Sequence, residues 1–164
     1  LCEAEETGKP VPTGGNGRKV IGVDIDIRSH NRVAIEAHPL AKRICMIEGS
    51  STDPEIVAKV QAEIGTGKRV LVALDSNHSH AHVRAELDLY APMVSVGSYC
   101  VVFDSVVENL PKELSFERPW GPGDNPMTAV HDWIVGNSNF SIDKEIESKL
   151  LLTVAPDGFL RRDR

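Results

Sequence analysis

The chain has 164 residues, of which 41% are hydrophobic and 26% are charged, so it can bury the core of one domain and does not have the composition of a disordered segment. Its formal net charge of −6 argues against general nucleic-acid binding, because no excess of basic residues offsets phosphate repulsion. The sequence contains no apolar run long enough to span a bilayer.

Short apolar runs rich in β-formers alternate with longer helical stretches, which predicts an α/β fold with a largely parallel sheet. We expect one domain over residues 1–164. Because Leu1 is not a methionine, we also expect further residues upstream, with 1–18 forming a helix tail and a loop rather than a signal peptide. The predicted elements are a strand at 19–27, a helix at 29–38, a strand at 43–47, a helix at 54–65, a strand at 69–74, a helix at 79–90, a strand at 97–103, a short helix at 128–135 and a terminal hairpin turning at 156–158.

The three cysteines are widely spaced, and no two form a CxxC pair. Cys45 and Cys100 lie inside the apolar runs ICMI and YCVVF, which predicts buried free thiols rather than zinc ligands. Free thiols are typical of a reducing, cytoplasmic setting.

Acidic residues stand at the ends of four predicted strands. Asp24 and Asp26 end the first strand, and Glu48, Asp75 and Asp104 follow the next three. Ligands of open α/β sheets bind beyond the carboxyl ends of the strands. The sequence therefore predicts a ligand-binding edge that is rich in carboxylates.

The first two strand ends fit a nucleoside cofactor. Asp24 and Asp26 can accept hydrogen bonds from ribose hydroxyls, or they form a solvated strand end that caps the next helix. In EGSSTD, small residues allow a flat ring to approach the backbone, and Ser or Asp can bond an adenine amino group. The alternative is that Thr52 or Asp53 caps the helix that begins at Pro54.

The next two strand ends fit a divalent cation. Asp75 and Asp104 close neighbouring strands, where two carboxylates repel each other unless a cation lies between them. Mg²⁺ is bound in this way, through one or two carboxylates with water and substrate oxygens, and it lowers the pKa of a bound hydroxyl. The alternative is that each carboxylate caps the helix after it.

Three histidines alternate in DSNHSHAH. A zinc site is disfavoured, because alternate residues of a helix diverge by about 200°. Surface or packing roles are favoured for His80 and His82. His78, three residues after Asp75, is the candidate general base.

A long Pro- and Gly-rich loop contains RPWGPGDNP and is long enough to be an active-site lid or a binding loop. Its Trp120 either shields a ligand or anchors the loop to the core.

The stretch LDSNHSHAHVRAELDLYAPMVSVGSYCVVFDS closely resembles the cephalosporin hydroxylase family, which also contains rhamnosyl O-methyltransferases. The resemblance continues through ERPWGPGDNP and LLLTVAPDGFLRR, and VIGVDIDIR and IEGSSTD also fit, so that it covers nearly the whole chain from Lys19. It implies a Rossmann-like methyltransferase fold, S-adenosylmethionine as methyl donor, and Mg²⁺ held by strand-end carboxylates.

The resemblance also implies roles by position. The implied metal ligands are Asp75 and Asp104, the implied cofactor-ribose carboxylates are Asp24 and Asp26, and the implied neighbours of the adenine are Ser50, Ser51 and Asp53. His78 stands where Mg²⁺-dependent catechol-type methyltransferases carry a general-base lysine, which is an analogy with a related fold.

Two departures from the family pattern affect these expectations. The antibiotic-modifying branch has two adjacent acids after the fourth strand, whereas here Phe103 precedes Asp104, so that one ligand is missing or is replaced by Ser105 or water. The strand and Gly-rich turn that open such a fold do not precede Leu1. We therefore expect the chain alone to bind the cofactor poorly or not at all.

Three functions remain open at this point. The first is a Mg²⁺-assisted O-methyltransferase acting on a hydroxyl of a sugar or small natural product, with a small-molecule or glycan acceptor as partner. The second is a metal-dependent hydrolase that uses Asp75, His78 and His80. The third is a non-catalytic remnant that binds a partner or forms a homo-oligomer. An iron hydroxylase is disfavoured, because it would require a jelly roll and a His-Asp-His triad.

Overall fold

The computed structural model describes residues 17–114 and 117–164. The chain divides into two compact units, Leu1–Glu63 and Ile64–Arg164. The helix tail predicted at 1–18 and Cys2 lie outside the described residues, apart from Gly17 and Arg18. Within the described ranges, no helix is long and apolar enough to cross a membrane.

The first unit contains two parallel strands. Strand β1 (Val20–Asp24) pairs with β2 (Ile44–Glu48) in a register that places Asp24 opposite Glu48. Helix α1 (Ser29–Glu36) and a 3₁₀ helix (Ala41–Arg43) connect the two strands. Because the strands are parallel, their acidic ends meet at the same edge.

Helix α2 (Pro54–Ile64) begins where its cap was predicted. The carbonyl of Asp53 accepts a hydrogen bond from the N–H of Val57 at 3.0 Å, and Oδ1 of Asp53 accepts one from the N–H of Glu55 at 2.8 Å. Asp53 is therefore the residue that caps α2. The buried residues of the helix are Ile56, Val57 and Val60.

The second unit has a four-stranded mixed sheet. It contains β3 (Val72–Leu74), β4 (Tyr99–Val102), β5 (Phe140–Ile142) and β6 (Phe159–Arg162) in the order β3-β4-β6-β5. Strands β3 and β4 are parallel, whereas β6 is antiparallel to both of its neighbours. The predicted α/β class is confirmed.

The terminal hairpin was predicted with the wrong first strand. Only Leu150 of the predicted first strand lies in helix α5 (Lys144–Leu150), residues 151–154 form no strand, and β6 pairs with β5 instead. The carboxylate of Asp143 caps the helix by accepting hydrogen bonds from the N–H groups of Glu145 and Ile146. Leu151 and Leu152 follow it and are 87% and 91% exposed, so this apolar run does not form a core strand.

Helix α3 (His80–Tyr90) packs against α4 (Pro126–Val135). Val83, Leu87 and Tyr90 are buried. Glu86 is charged but only 2% exposed. Its Oε1 accepts a hydrogen bond from Oγ of Ser76 at 2.7 Å, which offsets part of the cost of burying a carboxyl.

The two described cysteines are free, but only one is buried. Cys100 is fully buried in β4, and this burial, followed by the nearby charge of Glu86, raises the pKa of its thiol to about 12. Cys45 is half-buried, so the prediction of a buried thiol was wrong at this position.

Candidate active site

Three residues singled out from the sequence come together at the carboxyl ends of β3 and β4. Asp75 follows β3, Asp104 follows β4, and His78 lies between Asp75 and α3. Nε2 of His78 is 3.2 Å from Oδ2 of Asp104 and 3.8 Å from Oδ1 of Asp75. One ligand atom from each of the three lies within 4.8 Å of the others. Parallel neighbouring strands end at one edge, which accounts for this proximity.

Neither carboxylate of this cluster caps the helix that follows it. Asp104 has a left-handed backbone (φ 53°) and makes no side-chain hydrogen bond to the 3₁₀ helix Ser105–Asn109. The residue before α3 is Ser79, not Asp75. The capping alternative is therefore wrong for both residues.

The two carboxylates of the cluster can hold a hard cation. They supply the oxygen ligands that Mg²⁺ prefers. The Asp75 side chain is 63% exposed, which leaves room for the water ligands that Mg²⁺ retains. Ser105 was predicted as a substitute ligand, but it is fully buried and its Oγ donates to the carbonyl of Pro156 at 2.6 Å. Ser105 is therefore occupied elsewhere.

A cavity of about 230 Å³ opens beside this cluster. The ring of Trp120 lies 5.1 Å from the ring of His78 in an edge-to-face arrangement, and the Arg118 guanidinium lies 5.4 Å from the centre of the Trp120 ring. The remaining lining residues are Asp104, Val107, Leu110 and Leu114. Mostly apolar walls with a few convergent polar groups are typical of small-molecule sites.

The loop that follows Trp120 is held in place by Glu108, a residue for which the sequence predicted no role. Oε2 of Glu108 accepts hydrogen bonds from the N–H of Gly123 at 2.7 Å and from Nδ2 of Asn125. These two bonds lower the pKa of Glu108 below its usual value, and the bond from Gly123 contributes more than the bond from Asn125. A lone glutamate in a short 3₁₀ helix carries no sequence signal for this role.

The other two histidines of DSNHSHAH do not belong to the cluster. Nδ1 of His80 lies 2.9 Å from Oγ1 of Thr128, and Nε2 of His82 lies 3.5 Å from Oε1 of the buried Glu86. These are packing roles, as the sequence favoured. The set Asp75, His78 and His80 required for the hydrolase hypothesis is therefore not assembled.

In the first unit, Asp24 and Asp26 border a separate cleft of about 360 Å³ beside β1. Oδ1 of Asp24 accepts a hydrogen bond from the N–H of Asp26 at 3.0 Å, which orders the turn after the strand. Both predicted ribose carboxylates are thus next to a space that can take a ligand.

The residues predicted to flank an adenine form the turn after β2. Oγ of Ser50 lies 3.1 Å from Oγ1 of Thr52, and the intervening residue in the sequence, Ser51, is half-buried. The carboxylate of Asp53 caps α2. Ser50 and Ser51 therefore remain candidates for adenine binding, whereas a contact from Asp53 would compete with its capping bond.

Comparison with known proteins identifies a family and a related fold. The family model described as rhamnosyl O-methyltransferase/CmcI matches residues 11–163. A rhamnosyl O-methyltransferase of Mycobacterium bovis is 36% identical over 91% of this chain, and one of Mycobacterium leprae is 31% identical over 90%. The chain spans 58% and 61% of the length of these two relatives.

A solved structure shares the fold. It is the methyltransferase MycE from the mycinamycin biosynthetic pathway, in complex with Mg and SAH, and it aligns with a TM-score of 0.52 and 22% identity. The alignment covers 89% of this chain and 37% of MycE. The expected Rossmann-like methyltransferase fold is confirmed.

Proposed function

Because the chain belongs to the rhamnosyl O-methyltransferase/CmcI family, we propose that the protein is an S-adenosylmethionine-dependent, Mg²⁺-assisted O-methyltransferase acting on a hydroxyl of a sugar or a small natural product. The observation that carries this proposal is the cluster of Asp75, His78 and Asp104 at the cavity in the second unit.

Within this cluster, Asp75 and Asp104 would hold the cation, and His78 would act as the base. A divalent cation, when bound, lowers the pKa of a hydroxyl beside it. Nε2 of His78 would accept the proton of the acceptor hydroxyl, and Asp104, 3.2 Å away, would stabilise the imidazolium that forms. The methyl group would pass from the sulfonium to the acceptor oxygen, leaving S-adenosylhomocysteine. Holding the acceptor in place supplies much of such a rate enhancement.

The acceptor would lie in the cavity lined by Trp120. An indole ring presents an apolar face against which a sugar ring or another small ring can pack. Arg118 supplies hydrogen-bond donors for polar groups at the same wall.

The first unit would bind the cofactor. Asp24, and less directly Asp26, would accept hydrogen bonds from the ribose, and Ser50, Ser51 and Asp53 would flank the adenine. The complex of MycE with Mg and SAH supports this choice of cofactor and metal.

Two further expectations belong to the proposal. A cytoplasmic setting fits the free thiols of Cys45 and Cys100. A homo-oligomer fits the exposed apolar side chains that follow α5, Leu151 and Leu152.

The test is the double variant Asp75→Ala/Asp104→Ala in the full-length protein, assayed for methyl transfer from S-adenosylmethionine over a Mg²⁺ titration. We expect loss of activity and of Mg²⁺ dependence. The exposed Asp163→Ala is the control and should behave as wild type. Unchanged activity and Mg²⁺ dependence in the double variant would make the mechanism wrong.

A further inference from the structure

The first turn of α3 takes its cap from a residue far along the chain. Ser79 makes no side-chain hydrogen bond to the helix, and the first turn carries no acidic residue of its own. Instead, Oδ1 of Asp124 accepts a hydrogen bond from the backbone N–H of His80 at 2.7 Å. A carboxylate stabilises a helix start at this place, because unpaired N–H groups and the positive end of the helix dipole lie there.

The segment that carries Asp124 is itself fixed. Gly121 and Asp124 exchange backbone hydrogen bonds of 3.0 and 2.9 Å. Asn125 is fully buried, caps α4 through Oδ1 and donates from Nδ2 to the carbonyl of Gly121 at 2.9 Å. Thr128 in the first turn of α4 also bonds the His80 ring. The Asp124 carboxylate is therefore presented from a well-ordered turn.

The turn at 121–124 is linked directly to both chain segments that form the contact between His78 and Trp120: it follows Trp120 in the chain, and it bonds His80. Trp120 directly precedes Gly121, and His78 lies two residues before His80. The bond between Asp124 and His80 thus ties the two chain segments whose rings meet at 5.1 Å.

We infer that Asp124 is a positioning residue: through the N–H of His80 it holds His78 against Trp120 and beside Asp104. The effect of Asp124 on catalysis rests on the proposed function. The contact between the His78 and Trp120 rings can be measured without cofactor, metal or acceptor.

The experiment is an NMR measurement of the nuclear Overhauser effect between the ring protons of His78 and Trp120, assigned with His78→Ala and Trp120→Phe. We expect the effect in wild type and its loss in Asp124→Ala. Asp124→Asn should retain it, because the amide oxygen can accept the same hydrogen bond. Asp88→Ala is the matched control, since it removes another carboxylate that links α3 to α4, through Nε1 of Trp133, and should leave the effect intact.

Far-UV circular dichroism checks that each variant is folded. If Asp124→Ala does not fold, Asp124→Ser replaces it, because serine suits turns but its side chain is too short to reach the N–H of His80. Retention of the ring contact in a folded Ala or Ser variant would overturn the inference, as would its absence in wild type or its loss in Asp124→Asn. If the NMR results are as predicted but the protein transfers no methyl group, the proposed function is wrong and the inference about Asp124 stands.

Discussion

Nε2 of His78 lies 3.2 Å from Oδ2 of Asp104. His78 belongs to the segment that follows β3, whereas Asp104 belongs to the segment that follows β4. The same imidazole lies within reach of Asp75. This geometry allows two roles for His78, proton acceptor or cation ligand, and the two roles make different predictions.

As a general base, His78 is needed for the rate and not for cation binding. We predict that His78→Ala lowers the rate of methyl transfer by about 10²–10⁴-fold, the usual contribution of such a base. Binding of Mn²⁺, measured by electron paramagnetic resonance as a substitute for Mg²⁺, should stay close to wild type. The exposed His30→Ala is the control. A parallel fall in Mn²⁺ affinity would show that His78 is a ligand.

Trp120 should contribute to acceptor binding through its ring. We predict that Trp120→Ala raises the KM for the acceptor by about 2- to 10-fold, which corresponds to the aromatic contribution of roughly 0.5–1.5 kcal/mol. Trp120→Phe should lose less, because an aromatic face remains. The affinity for S-adenosylmethionine, measured by titration calorimetry, should not change. Equal acceptor KM values for wild type and Trp120→Ala would place the acceptor elsewhere.

Glu108 should make stability depend on pH in the acidic range. Its folded-state pKa is lowered below the ordinary value of 4.5, chiefly by the N–H of Gly123. A lowered pKa contributes stability that is complete above 4.5 and is lost as the pH falls through the folded-state pKa. We therefore predict that the free energy of unfolding of Glu108→Gln, from urea titrations, falls less steeply with acid than that of wild type. The exposed Glu113→Gln should follow the wild-type curve.

Gly158 should tolerate no side chain, because a Cβ there would lie 2.1 Å from the carbonyl oxygen of Val102. We predict that Gly158→Ala destabilises the protein by about 1–3 kcal/mol or more, as overpacking does. Gly136→Ala is the matched control, since its nearest neighbour would be 4.0 Å away, and its effect should stay within about 0.5 kcal/mol. Thermal unfolding of the two variants gives the comparison.

The sequence was sufficient to predict the cluster of Asp75, His78 and Asp104, because neighbouring parallel strands end at one edge. It also identified Asp53 as a possible cap, since Pro54 suits the first helical position. The start of α4 was placed two residues too late, although the same signal, Asn125 before Pro126, marks it.

Other features depend on tertiary contacts that no local pattern encodes. The cost of burying the Glu86 carboxyl is offset in part by the hydrogen bond from Ser76, ten residues earlier in the chain. The cap on α3 comes from Asp124, which is distant in sequence. The apolar run after α5 has the composition of a strand, but Leu151 and Leu152 are exposed and β6 pairs with β5, which lies earlier in the chain.

The most direct test of the central claim is titration calorimetry of S-adenosylmethionine, with and without Mg²⁺, into this chain and into a form extended at its N-terminus to the length of the relatives. We predict saturable binding by the extended form, weaker or no binding by this chain, and a loss of about tenfold in affinity in Asp24→Asn, as expected when a charged hydrogen-bond acceptor is replaced. Absence of binding by both forms would contradict the assignment of this protein as an S-adenosylmethionine-dependent methyltransferase.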